Sequence, residues 1–72
     1  MHRWNIQKLQ SLENHKVDKF ISEVIELSKR HNLSLAHEDK QGAFIIEQFK
    51  PENITWLETA SDNTEATPTT KI

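Results

Sequence analysis

The chain has 72 residues, 9 Lys and Arg against 11 Asp and Glu, a net charge of −2, and no cysteine. That length holds one domain at most, and folding at this size buries only about 60% of the unfolded surface, so stability is marginal. Disulfides, thiolate metal sites and a nucleophilic thiol are excluded, a near-neutral mix of charges argues against a duplex-DNA binder that needs a basic face, and of the usual staples for so small a fold self-association is left most open.

The opening "MHRWNIQKLQ" is too polar for a secretory segment, and no apolar run approaches the roughly 18 residues of a membrane span. The expected setting is cytoplasmic. Ile6, Leu9 and Leu12 form a weak helical stripe, so residues 1–15 are read as an N-terminal arm with helical character, and Trp4 as an anchor for a pocket or a partner. "VDKFISEVIELSKRHN" is the clearest element. Val17, Phe20, Ile21, Val24 and Ile25 recur at i, i+3, i+4 and Ser28 continues the stripe, which predicts an amphipathic helix. Asn14 is a suitable N-cap, Asp18 suits the positive end of the helix dipole and Lys29, Arg30 and His31 the negative end. Asn32 readily takes the left-handed conformation that ends a helix.

"LSLAHE" and "AFIIEQF" then read as two strands around "DKQG". Asp39 at the first turn position and Gly42 at the fourth predict a three-residue hairpin loop with a left-handed glycine. With Asp39 opposite Ala43, His37 faces Ile45, Leu35 faces Glu47 and Leu33 faces Phe49. Ala36, Glu38, Phe44 and Ile46 then share the second face. A two-stranded ribbon with large apolar side chains on both faces needs a cover on each. "PENITWLETA" predicts a short helix with Pro51 at its first position and a stripe of Ile54, Leu57 and Ala60, Trp56 beside it. Residues 61–72 carry one aliphatic residue and are expected to be a disordered tail. The expected class is α+β: a helix–hairpin–helix (αββα) unit over residues 16–60, an N-terminal arm and a tail.

The middle of the chain resembles a set of small proteins encoded in phages and prophages of low-GC Gram-positive bacteria. The shared pattern runs L-S-x-x-H-E-D, a turn, G-A-F-x-I, an acid and x-N-I-x-W-L, carried here by Leu33, Ser34, His37, Glu38, Asp39, Gly42, Ala43, Phe44, Ile46, Glu47, Asn53, Ile54, Trp56 and Leu57. The resemblance implies a viral accessory protein inside a bacterial cell and supplies no reaction, ligand or named partner.

For chemistry, the expected register makes His37, Asp39 and Glu47 neighbours on one sheet face, the residue types of a divalent-metal site or an acid–base pair. One histidine is few for zinc, and the weight falls on the plainer reading of a turn cap beside a cross-strand pair worth a few tenths of a kcal/mol. No cofactor is called for: one glycine cannot build a phosphate loop, and the serines lack a placed base. Exposed aromatics with Lys40 and Lys50 suit stacking on single-stranded nucleic acid, but Glu38, Asp39, Glu47 and Glu52 in the same region repel phosphates. The expectation is a non-enzymatic protein–protein interaction module that forms a homodimer and binds a phage or host protein, with Ala36, Phe44 and Ile46 on the sheet and Trp4 on the arm as contact residues.

Overall fold

The computed structural model describes residues 1–37 and 42–65. Six elements follow in chain order: β1 (His2–Asn5), β2 (Gln10–Glu13), α1 (His15–His31), β3 (Leu33–His37), β4 (Phe44–Gln48) and α2 (Pro51–Glu58). They form two antiparallel hairpins, β1–β2 and β3–β4, with α1 between them in sequence. The α+β class and the αββα order from α1 to α2 agree with the sequence.

The helix α1 forms for the reasons legible in its ends. The Asn14 side chain accepts hydrogen bonds from the Lys16 and Val17 N–H groups at 3.1 and 3.3 Å, which satisfies donors that no earlier helical turn can reach. Asn32 closes the helix at φ 57°. Ile21 and Ser28 are buried, and Val17, Val24 and Ile25 are half-buried. Phe20, which shares the apolar stripe in sequence, points outward instead, as does Leu27. The buried line runs 17–21–24–28, and Phe20 falls on its flank.

The N-terminal arm is a β-hairpin and not helical. Its pairs run from His2–Glu13 to Asn5–Gln10. The apolar periodicity misleads here because the strand buries polar side chains: Arg3 and Asn5 point inward while Trp4 is exposed. The Arg3 guanidinium donates to the Glu58 and Ala60 carbonyls at 3.1 and 2.8 Å and to Asp18 at 3.2 Å. It thereby supplies, from another element, the cation that the last turn of α2 lacks. Burial opposes ionisation of Asp18, but the Met1 amino group and Arg3 outweigh it and hold the carboxyl below its ordinary value.

Ser61–Glu65, expected to be loose, is fastened at Asp62. Asn5 and Asp62 form a parallel bridge, with Asp62 N–H to the Trp4 carbonyl and Ile6 N–H to the Asp62 carbonyl, both 2.8 Å. The buried Asp62 side chain accepts from Asn14 Nδ2 at 3.1 Å and from the Thr64 N–H at 2.9 Å. Thr64 chiefly holds its carboxyl below the ordinary range; burial opposes that, and Asn14 and Asn5 add to it. The rest of the expected tail, residues 66–72, lies outside the described residues.

Both helices pack on β3 and on each other. The core between them is small: Ile21 and Ala36 are its buried apolar side chains among the described residues, flanked by half-buried Val24, Ile25, Leu35, Ile54 and Leu57. Pro51 opens α2 as expected.

Candidate interaction surface

The register of β3 against β4 decides which side chains reach solvent. The pairs are Leu33–Gln48, Ser34–Glu47, Leu35–Ile46, Ala36–Ile45 and His37–Phe44. This is one residue away from the register read off the turn, and a slip of one residue exchanges the faces of a strand pair. Gly42 does adopt a left-handed φ of 72°, but the loop that separates His37 from Phe44 is longer than three residues. The proposed Asp39 cap lies outside the described residues, as do Glu38, Lys40 and Gln41.

What holds the observed register is a polar knot. The Ser34 hydroxyl donates to the Gln48 carbonyl at 3.0 Å and accepts from Asn53 Nδ2 at 2.9 Å and from the Lys50 N–H at 3.3 Å. Asn53 Nδ2 also donates to Glu47 Oε2 at 2.8 Å, and Lys50 Nζ reaches Glu47 Oε1 at 3.4 Å. With Ser34 almost fully buried, each of these bonds replaces one to water, and an unmet partner there costs about 1–3 kcal/mol. The knot ties both strands of the hairpin to the first turn of α2. Asn53 above all holds the Glu47 carboxyl below its ordinary value, desolvation opposes, and Lys50 adds to the lowering.

The face opposite the knot carries Leu33, Leu35, His37, Phe44, Ile46 and Gln48. Phe44 and Ile46 are 66% and 63% exposed, so each leaves most of its apolar surface in water. Beside them a shallow groove of about 180 Å³ runs between α1 and the hairpin, with Val24, Leu27, Leu33, Leu35 and Ile46 among its walls. At the far end of the strand His37 lies against Trp56, ring centroids 6.2 Å apart and tilted by 51°.

The contact residues expected from sequence divide accordingly. Phe44 and Ile46 stand together on an exposed face. Ala36 does not join them: it pairs with Ile45 on the other face and is only 7% exposed, part of the core and not a contact residue. Trp4 is exposed, but on the separate β1–β2 hairpin. The acid–base or metal grouping is not assembled as expected, because the observed register sets His37 and Glu47 on opposite faces of the ribbon. Among the described residues, no group of three or more His, Cys, Asp or Glu side chains is placed to hold a metal ion, and no helix is long and apolar enough to cross a membrane.

Comparison with protein-family models, with curated proteins and with solved structures returned no match. The residues that sequence reasoning missed are Arg3, Asn5, Ser34, Asn53 and Asp62. In this chain Ser34 and Asn53 lock the hairpin to α2.

Proposed function

We propose that this chain is a small non-enzymatic interaction module, an accessory protein of a phage or prophage that works in the bacterial cytoplasm, binds a host or phage protein, and pairs with itself. The observation that carries the reading is the pair Phe44 and Ile46, 66% and 63% exposed on one sheet face. Large apolar side chains side by side in water are costly, and on a soluble chain they mark a contact surface. The second exposed apolar group is on the other hairpin and its loop, where Trp4, Ile6 and Leu9 face solvent; Trp4 is the anchor expected there.

The test is affinity capture from bacterial cells in which a related phage replicates, with wild type, Phe44→Asp and Trp4→Asp as baits, followed by titration of the captured protein against purified chain. One of the two substitutions is expected to weaken binding at least tenfold while the far-UV circular dichroism stays unchanged. A purified partner bound equally by all three baits would sink the reading.

A further inference from the structure

Strand β4 is thinly covered. The helices pack chiefly on β3 and α2 reaches β4 at the Glu47 side chain, while Phe44, Ile45 and Ile46 are all exposed. Among the described residues its outer edge has no neighbouring strand. Monomeric proteins protect such an edge with lysine, proline, a bulge or a covering loop. The sequence FIIEQ has neither lysine nor proline, and its one charge, Glu47, is turned into the knot with Asn53 and Lys50.

The hydrogen-bond phase says which backbone groups point toward that edge. The Phe49 N–H donates to the Asn32 carbonyl at 3.1 Å, so Phe49 is in phase with the residues that bond across to β3. In an antiparallel pair these alternate with residues whose N–H and C=O point the other way. Ile45 and Glu47 therefore bond to β3, whereas the N–H and C=O of Phe44 and Ile46, and the N–H of Gln48, face the open edge. The Gln48 carbonyl accepts from Ser34 and keeps a second lone pair.

We infer that two copies of the chain join by antiparallel pairing of β4 with β4 about a twofold axis at Ile46, giving a four-stranded sheet in the order β3-β4-β4-β3. The inference rests on the reading of Phe44 and Ile46 as a contact surface and names its occupant. Only this register overlaps all five residues of the strand in hydrogen-bonding phase: Ile46 opposes Ile46 of the second copy, and Phe44 opposes Gln48. Charge agrees with it, since Glu47 falls opposite Ile45. Moving the axis to Glu47 would set two carboxylates face to face, and moving it to Ile45 would shorten the overlap. Ile46 and Phe44 of both copies then line one face of the joint sheet.

The size of the contact sets its strength. At about 200 Å² for a whole large side chain, Phe44, Ile45 and Ile46 bring roughly 300 Å² of apolar surface per copy. With the backbone edge, two copies bury about 1,000 Å² at most, the lower bound for a specific interface. The dimer is therefore one that dissociates on dilution.

The chain's lack of cysteine makes the test clean. Hydrogen-bonded residues directly opposite each other stand about 5.5 Å apart at Cα, inside the range a disulfide spans. Ile46→Cys chains are expected to cross-link to themselves under mild oxidation. Gln48→Cys chains are not, because the two thiols sit four residues out of register. A mixture of Phe44→Cys and Gln48→Cys chains is expected to give the mixed dimer. Sedimentation equilibrium across a hundredfold range of wild-type concentration is expected to show monomer passing to dimer. A chain that stays monomeric at the highest concentration overturns the pairing. So does a dimer in which Ile46→Cys cross-links no faster than Gln48→Cys; if Phe44→Asp still dissociates that dimer, the contact surface stands and only the pairing falls, and if Phe44→Asp leaves it intact, both fall. Cysteine in place of an exposed strand residue keeps the fold, so the cross-linking result is readable even where an aspartate variant unfolds.

Discussion

Substitution of Asn14 separates two jobs that one side chain performs. Its Oδ1 caps α1 through the Lys16 and Val17 N–H groups, and its Nδ2 donates to the buried Asp62 carboxylate, which fastens residues 60–65 against the start of the helix. Loss of an N-cap costs about 1 kcal/mol, and loss of a hydrogen bond to a charged group about 1.5–3 kcal/mol. Asn14→Ala removes both and is expected to cost about 3 kcal/mol. A chain of this length has about 4–11 kcal/mol in total, so the melting temperature should fall by roughly 12–24 °C. Asn14→Ser keeps the cap oxygen and loses the amide donor, so it should cost about 1.5–2 kcal/mol. Asn14→Asp keeps the cap but sets a second carboxylate against Asp62, and should be worse than serine despite its favourable place at the helix N-terminus. The assay is urea unfolding followed by circular dichroism, closed as a double-mutant cycle with Asp62→Ala. The expected coupling is about 1–2 kcal/mol, within the range for residues in direct contact. Serine as costly as alanine, or a coupling near zero, would refute the claim that Asn14 holds the C-terminal segment.

Leu9 sits in the β1–β2 loop with φ 55° and is 72% exposed, a left-handed conformation that costs a non-glycine residue about 1–2 kcal/mol. Leu9→Asn should stabilise the fold by about 0.5–1 kcal/mol, since asparagine tolerates that conformation and little burial is lost; an unchanged or lower melting temperature would count against the strain. Asp18, Glu47 and Asp62 all titrate below their ordinary values of 3.8, 4.5 and 3.8 in the folded chain. Because the folded state favours the ionised forms, their stabilisation is complete above about pH 4.5 and drains away as pH falls through the lowered folded values. Urea midpoints from pH 7 to pH 3 should therefore hold steady and then drop, with a shallower drop for Asp62→Asn; a midpoint that rises on acidification would contradict the assigned contacts.

Legibility in the sequence followed the kind of signal each element uses. The caps of α1, Pro51 at the start of α2 and the left-handed Gly42 are local: each depends on one residue and its immediate neighbours, and each stands where the sequence puts it. The β1–β2 hairpin was not legible because its strand buries an arginine and an asparagine whose partners, Glu58, Ala60 and Asp62, lie more than fifty positions away. The strand register failed for a related reason. Apolar patterning favours Leu33 and Leu35 facing inward, yet Ser34 takes the buried place because Gln48, Lys50 and Asn53 together satisfy its hydroxyl. The error of one position then carried Ala36 from the expected contact face into the core and parted His37 from Glu47.

These two failures have a common cause, and it bears on function. The chain fixes its geometry with two polar clusters, Arg3–Asp18 with Asn5–Asn14–Asp62 at one end and Ser34–Glu47–Asn53 at the other. Such networks define a unique arrangement because every donor and acceptor must be met at once. They stabilise less than an apolar core of equal volume would, but they leave apolar side chains free. Phe20, Leu27, Leu33, Phe44 and Ile46 are exposed in a chain that has few apolar residues to spare, and folding a monomer gains nothing from placing them outside. An apolar surface set on a polar scaffold suits a protein whose remaining burial happens on association. The knot that holds Glu47 inward also leaves the edge of β4 free of the charge that would keep a second strand away.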